Sequence, residues 1–145
     1  MIRVGTPADL PQMTHVRTSV IENHMSIEQM AARGINHAST TEMMLSGNLG
    51  CWVAEADGRV VAFSMADKRD GNIFALFTLP EHEKKGFGTQ LLQCCELWLK
   101  DHGLKEARLD TGRTSKAVGF YVRQGWEKAG DSHFAPDDIL LKKRL

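Results

Sequence analysis

The stretch from Leu76 to Leu92, LFTLPEHEKKGFGTQLL, joins a predicted strand to a predicted helix through a turn that contains two glycines. Residues Ile73–Leu79 are almost wholly apolar, which predicts a strand buried on both faces. Pro80 ends this strand because proline cannot donate to a sheet ladder. Apolar residues then recur at helical spacing until Gly103 supplies a stop, and they are Leu91, Leu92, Cys95, Leu97, Trp98 and Leu99.

The turn itself has the features of an anion-binding site. Its residues Lys84-Lys85-Gly86-Phe87-Gly88 place two glycines and two cations in front of a helix. The first N–H groups of a helix have no partner inside it, and the helix dipole attracts negative charge. The turn therefore predicts a phosphate site. Because glycines before helices are common, this prediction needs support from elsewhere in the chain.

Composition and charge narrow the class of protein. The chain of 145 residues is 42% hydrophobic and 25% charged, which is typical of a globular protein and predicts one domain over residues 1–145. Lys plus Arg equals Asp plus Glu at 18 each, which argues against a nucleic-acid binder. No apolar run approaches the about 18 residues of a membrane span, so we expect a cytoplasmic protein with no membrane partner. The three cysteines lack metal-ligand spacing, so we expect reduced thiols and no metal.

A strand and three helical segments are predicted ahead of the sheet hairpins. The strand is Ile2–Val4, and Thr6 is expected to cap a helix from about Ala8 to Asn23. Shorter helices are predicted over residues 26–32 and 40–45. The apolar stripe of the first helix consists of Leu10, Met13, Val16, Val20 and Ile21.

The middle of the chain changes to strand periodicity. Cys51–Ala56 and Arg59–Ala66 are predicted strands, and Asp57-Gly58 between them is a tight hairpin signal. Together with Ile73–Leu79 they predict an antiparallel meander. Beyond the long helix, Ala107–Asp110 predicts a short strand that is parallel to the strand before that helix, because a crossover joins the two.

The last third of the chain predicts a helix and two strands. Ser115–Arg123 is the helix, with Thr114 as its expected cap, and residues 126–129 and 138–141 are the strands. The helix contains the motif Ala117-Val118-Gly119-Phe120-Tyr121, and Gly125-Trp126 follows it. The whole order indicates a mixed α/β fold.

In this order and at these separations, the chain resembles the GNAT superfamily of N-acetyltransferases across about residues 50–130. The phosphate motif of that family has Gln or Arg, two variable residues, Gly, one variable residue, and Gly or Ala. Gly86 and Gly88 match it, and so does the lead-in Leu79-Pro80. The second family motif matches at the Phe-Tyr pair and the following Gly-aromatic pair. The resemblance implies an antiparallel meander, a crossover helix, and a parallel strand pair that splays to admit coenzyme A.

Two positions depart from the family pattern. Glu83 stands where the family has Gln or Arg, and a carboxylate beside a pyrophosphate is repulsive by Coulomb's law. Lys84 and Lys85 offset that charge, and backbone N–H donors do not depend on the side chain. Thr114 stands at the Asn of the second motif, where it retains the capacity to cap a helix.

The resemblance implies acetyl-coenzyme A as cosubstrate. Backbone N–H groups from about Lys84 through Thr89 would hold its pyrophosphate, and its arm would pair with the strand near Phe77, Thr78 and Leu79. The residues implied in coenzyme binding are Phe77, Thr78, Leu79, Lys84, Lys85, Gly86, Phe87, Gly88, Thr89, Thr114, Ala117, Phe120 and Tyr121.

The resemblance also implies the catalytic groups. A backbone N–H near Leu79 would stabilise the oxyanion, and Tyr121 falls where the family places its general acid. Tyr121 is the only tyrosine, and its alternative role is packing beside Phe120. The acceptor would be a primary amine of a small molecule, peptide or protein. No general base is identified, and the residues considered are His24, Glu28, His37, Glu42 and His82.

Other interpretations use the same elements. A dinucleotide-binding oxidoreductase needs a third glycine and repeated parallel units, and a nucleotide-triphosphate loop needs Gly-Lys-Ser/Thr; the chain has none of these. A non-catalytic acyl-coenzyme A sensor on the same fold remains open because of Glu83. A homodimer is also expected, since Ile139–Leu141 is an apolar run near the C-terminus.

Overall fold

Seven strands form one mixed sheet in a computed structural model of the chain, which describes residues 1–21 and 24–145. The strands are β1 (Ile2–Val4), β2 (Leu49–Ala56), β3 (Arg59–Asp67), β4 (Asn72–Thr78), β5 (Glu106–Gly112), β6 (Glu127–Asp131) and β7 (Asp138–Arg144). The helices are α1 (Leu10–Ser19), α2 (Ile27–Ala32), α3 (His37–Leu45), α4 (Phe87–Asp101) and α5 (Lys116–Arg123). The strand order is β1-β2-β3-β4-β5-β7-β6, and the mixed α/β fold is confirmed.

The predicted meander of β2, β3 and β4 is confirmed, and both of its pairings are antiparallel. Asp57 and Gly58 have φ angles of 54° and 76° at the β2–β3 turn. Positive φ at both central residues is the geometry of the tight hairpin turn whose twist matches that of the strands. The sequence signal at this turn therefore sets the pairs Ala56–Arg59 and Glu55–Val60, and a bulge between Ala54 and Glu55 shifts the register of the rest of the hairpin.

The predicted parallel pair is β4 and β5, joined by the crossover helix α4. Their ladder is short, because Asn72 opposite Arg108 is its one register pair, supported by the Arg108 amide donating to the Gly71 carbonyl at 2.9 Å. A register shift between β3 and β4 leaves Phe74 as an extra residue, which is the bulge geometry that bends a strand. The two strands therefore separate beyond this point, as the family resemblance implies.

Helices cover both faces of the sheet, and neighbouring residues of β2 show which helix lies on which face. Cys51 Sγ lies 3.6 Å from Met13 Sδ of α1. The next residue, Trp52, packs edge-on against Trp98 of α4, with ring centroids 5.8 Å apart. Because successive side chains of a strand point to opposite faces, α1 and α4 lie on opposite sides.

Several apolar positions were predicted to be buried and are not. Phe74, Leu97 and Ile21 are 43%, 62% and 85% exposed. Phe74 lies at the bulge, beyond the short ladder with β5, so β4 is not buried on both faces. Helix α1 ends at Ser19 rather than Asn23, and residues 22–23 lie outside the described part of the chain.

The C-terminal third needs two corrections. The cap of α5 is Ser115 rather than Thr114, because the helix begins at Lys116. Strand β7 lies between β5 and β6, and this position buries Ile139–Leu141 inside the chain. The homodimer stays a prediction, but the apolar run on which it rested is not available to a partner.

Two further predictions concern cysteines and membranes. All three cysteines are free thiols, and Cys51 and Cys95 are buried. Within residues 1–21 and 24–145, no helix has the length and apolar character needed to cross a membrane.

Candidate active site

The turn before α4 has an irregular backbone, which the sequence pattern predicts only in part. A short 3-10 turn covers Pro80–His82, after which Lys84 has φ +64° and Gly86 has φ +86°. The left-handed region suits glycine but is unfavourable for lysine, so Lys84 holds a backbone conformation that its side chain disfavours. Gly86 is the residue that caps α4 at its start.

Unpaired N–H groups face outward from this turn, as predicted. Gln90 is the first residue of α4 whose amide donates within the helix, to the Gly86 carbonyl at 3.2 Å. The amides of Phe87, Gly88 and Thr89 precede it and have no acceptor inside the helix. These three donors at the positive end of a 15-residue helix form a cradle that suits a phosphate.

The two sequence motifs meet in space at Gly88. A Cβ atom at this position would lie 3.5 Å from Cζ of Phe120 in α5. Gly88 is helical and does not have positive φ, and a Cβ atom there would make only an ordinary van der Waals contact, so the fold itself does not require glycine here. Ala117 and Phe120 are partly buried against the core, whereas Thr114 is exposed.

His82 is a residue of this turn whose burial no sequence pattern predicts. It is 6% exposed, and its Nδ1 lies 3.2 Å from Nζ of Lys85. An isolated histidine in a loop is usually solvated, but the 3-10 turn directs the His82 side chain into the protein. The contact holds one of the two lysine ammonium groups beside the turn.

The predicted oxyanion donor needs a correction. The Leu79 amide donates to the Val61 carbonyl of β3 at 2.8 Å, so it is not free to bind a substrate oxygen. N–H groups of successive strand residues point to opposite sides. Thr78, which is opposite Ala62 in the register, therefore directs its N–H away from β3 and toward the open side beside β5.

Tyr121 lies in the core on the inner face of α5 and is 7% exposed. Its ring packs edge-on against Phe120 and Trp126, with centroids 5.3 and 5.8 Å away. Burial, and secondarily the nearby Cys95, raise the pKa of the Tyr121 hydroxyl above its ordinary value. Inside the described part of the chain, no residue forms a hydrogen bond with this hydroxyl. It is therefore a neutral hydroxyl that retains its proton for donation.

The face of β4 that packs against α1 carries a cation–π contact that no sequence pattern predicts. The Arg17 guanidinium of α1 lies over the ring of Phe77, 4.1 Å from the centroid. Burial, then the charge of Arg33, lower the pKa of Arg17. Among the residues considered as a base, His24, Glu28, His37 and Glu42 are exposed.

A comparison with family models matches residues 47–128 to the acetyltransferase (GNAT) domain. That segment contains the meander, the phosphate turn, the splayed strand pair and Tyr121. The chain belongs to the GNAT family. This match confirms the resemblance on which the sequence analysis relied.

Relatives and solved structures agree with this assignment. The human protein N-acetyltransferase 8 is 31% identical over 65% of this chain and 46% of its own length. An uncharacterized N-acetyltransferase of Archaeoglobus fulgidus is 35% identical over 52% of this chain and 58% of its own. This GNAT chain therefore spans about half the length of the curated relatives it matches.

Two solved structures show the same fold. The PaiA N-acetyltransferase of Thermoplasma acidophilum, in complex with coenzyme A, superposes with a TM-score of 0.84 at 20% identity, covering 100% of this chain and 98% of that one. The ribosomal-protein-S18-alanine N-acetyltransferase of Escherichia coli gives 0.74 at 17% identity, covering 99% and 92%. At these identities the likeness concerns the fold alone.

Proposed function

We propose that residues 1–145 act as one domain that transfers an acetyl group from acetyl-coenzyme A to a primary amine within a ternary complex. The observation that carries this proposal is the opening between β4 and β5. Helix α4, with its phosphate cradle, follows β4 through a short turn, and Tyr121 belongs to the core cluster that contains Ile73 of β4 and Leu109 of β5. The coenzyme A complex of the Thermoplasma relative supports the choice of cosubstrate.

The cosubstrate is held mainly by backbone groups. The pyrophosphate accepts from the amides of Phe87, Gly88 and Thr89, while the flanking Lys84 and Lys85 supply positive charge. The amide-containing arm lies along the open edge of β4, which leaves the Thr78 N–H, not used by β3, for the thioester carbonyl. The predicted contacts are completed by Phe77, by Leu79, by Thr114 ahead of α5, and by the α5 residues Ala117 and Phe120.

The reaction proceeds by direct attack. The neutral amine nitrogen forms a bond to the thioester carbon, and the carbonyl oxygen becomes an oxyanion that the Thr78 N–H stabilises. The carbon–sulfur bond then breaks, and the proton of the Tyr121 hydroxyl goes to the departing sulfur. The nitrogen releases its extra proton to water, and Tyr121 regains one from solvent. Holding both reactants in one cleft supplies much of the acceleration.

Tyr121 is suited to this role because its hydroxyl is protonated throughout the neutral range. Its raised pKa keeps the hydroxyl protonated rather than a phenolate, so the O–H is available to donate to the sulfur as negative charge develops there. Phe120 and Trp126 pack against the ring of Tyr121, and the buried surroundings strengthen the interaction of its hydroxyl with a developing charge. Packing alone would not require a hydroxyl.

The test replaces only that hydroxyl. Tyr121→Phe keeps the ring and its packing, so the melting temperature and the affinity for acetyl-coenzyme A should stay within about twofold of the wild-type values. Thiol release with an amine panel should fall about a hundredfold or more, which is the usual size of a general-acid contribution. An unchanged kcat would show that Tyr121 only packs.

The same measurements separate the enzyme from the sensor alternative. A wild-type protein that binds acetyl-coenzyme A but releases no thiol with any amine would be a sensor on this fold. A protein whose melting temperature acetyl-coenzyme A does not raise would have neither function. Hydrolysis of the thioester without an amine serves as the background rate.

A further inference from the structure

His82 is a buried polar side chain to which the proposed transfer reaction assigns no role. It is 6% exposed and ends the 3-10 turn Pro80–His82 between β4 and α4, where its amide donates to the Leu79 carbonyl at 2.9 Å. Burying a polar group is unfavourable unless a hydrogen bond replaces the contact with water. The partner of the imidazole inside the protein therefore indicates its role.

That partner is Lys85, whose Nζ lies 3.2 Å from His82 Nδ1. An ammonium group only donates hydrogen bonds, so Nδ1 is the acceptor. The His82 ring is therefore in its neutral form, with its proton on Nε2. A neutral acceptor holds the ammonium without cancelling its charge, which distinguishes this contact from an ion pair such as that of Lys143 with Glu96 at 2.8 Å.

The Lys85 ammonium keeps its charge available to a ligand. Within residues 1–21 and 24–145, no carboxylate forms an ion pair with it. Lys85 as a whole is exposed, and an ammonium has three N–H donors. The contact with His82 therefore leaves two donors and the positive charge for an anion that arrives from solvent.

The anchored ammonium belongs to the turn that presents the phosphate cradle. Lys85 directly precedes Gly86, the cap of α4, and its Cα lies within about 8 Å of the Cα of Phe87, because consecutive Cα atoms are about 3.8 Å apart. Phe87 is the first residue of the cradle. Lys84 is the next residue back along the chain, but among the described residues no hydrogen bond or ion pair holds its ammonium. One of the two lysines is therefore anchored and the other is not.

We propose that His82 is a positioning residue for acetyl-coenzyme A, which holds the charged Lys85 ammonium where the pyrophosphate binds. This inference rests on the proposed function and adds His82 to the same site. Ordering a long side chain during binding lowers affinity by about two- to tenfold. Because His82 orders Lys85 in the folded protein before the coenzyme arrives, that loss is avoided. A carboxylate in place of the imidazole would order the lysine but cancel its charge, and an apolar side chain would leave the charge without ordering it.

The experiment compares two substitutions of similar shape. His82→Leu removes the acceptor, whereas His82→Asn keeps one, because the side-chain oxygen of asparagine is two bonds from Cβ, as Nδ1 is in histidine. We expect His82→Leu to raise the dissociation constant of coenzyme A and the KM for acetyl-coenzyme A by about two- to tenfold, with an unchanged kcat. His82→Asn should restore both constants to their wild-type values. Equal losses in the two variants would show that the ring only packs.

Two further substitutions assign the effect to Lys85. Lys85→Met should weaken coenzyme A binding at least as much as His82→Leu does. Adding His82→Leu to Lys85→Met should weaken binding no further, because the imidazole acts through the ammonium. The matched control is Lys100→Met, the same chemical change in the last turn of α4, which should leave both constants unchanged. Additive losses in the double variant would overturn the positioning role.

Dephospho-coenzyme A identifies the phosphate that Lys85 contacts. This ligand lacks the ribose 3′-phosphate but keeps the pyrophosphate. His82→Leu should therefore weaken the binding of dephospho-coenzyme A by the same factor as that of coenzyme A, as measured by isothermal titration calorimetry. An effect that disappears with dephospho-coenzyme A would overturn the assignment of Lys85 to the pyrophosphate.

The tautomer of His82 tests the contact without any substitution of the histidine. Nitrogen NMR of the wild-type imidazole should show the proton on Nε2, and Lys85→Met should shift the Nδ1 resonance. A ring protonated on Nδ1 would overturn the inference, and this result does not depend on whether His82→Leu folds.

The outcomes separate this inference from the transferase proposal. If the wild-type protein and a folded His82→Leu variant bind coenzyme A equally well, the positioning role is overturned and the transferase is intact. If His82→Leu weakens binding and His82→Asn restores it, but no amine releases thiol, the role of His82 is supported and the transferase fails.

Discussion

Gly86→Ala is the change that tests the phosphate turn most directly. Gly86 caps α4 with φ +86°, and a Cβ atom added there would have no heavy atom within 4 Å. The substitution therefore creates no clash inside the protein. Its effects come from the left-handed backbone and from the methyl group, which projects into the open space in front of the turn.

The expected loss of stability follows from the backbone alone. An alanine in the left-handed region costs about 1–2 kcal/mol, which for a chain of this length lowers the melting temperature by roughly 3–8 °C. The expected loss of coenzyme A affinity has a separate cause. Either the methyl group keeps the pyrophosphate away, or the backbone relaxes and turns the amides of Phe87, Gly88 and Thr89 aside. Loss of hydrogen bonds to a charged group weakens binding by about ten- to a hundredfold.

A matched control is available at the other end of the same helix. Gly103 follows α4 with φ +87°, and a Cβ atom there would also meet nothing within 4 Å. Gly103→Ala should therefore lower the melting temperature by a similar amount while leaving coenzyme A affinity at the wild-type value. Scanning calorimetry gives the stability, and isothermal titration calorimetry gives the dissociation constant for both variants.

The difference between the two variants is the decisive quantity. If Gly86→Ala and Gly103→Ala bind coenzyme A equally well, the pyrophosphate does not lie on this turn, and the residues assigned to it are wrong. If Gly86→Ala loses affinity and also unfolds far more easily than Gly103→Ala, the turn has a structural role that the backbone angles do not account for.

Two further predictions concern charge. Glu83→Gln removes an exposed carboxylate beside the turn and should tighten coenzyme A binding about two- to fivefold in dilute buffer. About 0.5 M salt should abolish this effect, because salt screens exposed charges. Weaker binding would show that Glu83 does not face the phosphates. The Arg3 hydrogen bond lowers the pKa of Asp9 from 3.8 to about 2. The stabilisation of the folded protein by the ionised Asp9 carboxylate is therefore present above pH 3.8 and is lost as the pH falls through 2. In urea titrations, the wild-type protein should therefore lose about 1–2 kcal/mol more unfolding free energy than Asp9→Asn between pH 5 and pH 2. Parallel pH profiles would contradict this role of the carboxylate.

Local signals in the sequence identified most of the fold. Asp57-Gly58 specifies a hairpin turn through positive φ, and the spacing between Gly86 and Gly103 delimits a helix, because each signal acts over a few residues of backbone. The crossover rule then makes β5 parallel to β4. For the candidate site, the motif around Phe120 and Tyr121 supplied most of the support.

The predictions that were wrong concern backbone pairing and side-chain burial, which depend on residues distant in the chain. The predicted N–H donor, Leu79, is not open, because its amide donates to the Val61 carbonyl of β3. The donor on the open side is Thr78 instead. Phe74 was expected to be buried, but the bulge and the short ladder with β5 leave it exposed. The contact of Arg17 with Phe77 joins residues sixty positions apart, and no local pattern encodes it.

The sequence by itself therefore determined the family, the order of the elements and the turn that faces a phosphate, because these depend on backbone preferences and on motifs read along the chain. Tertiary structure alone decided which N–H groups remain open, that β7 is inserted between β5 and β6, and that Arg17 lies over the ring of Phe77. Those features depend on strand order and on burial. Both are set by packing between segments that are far apart in the chain.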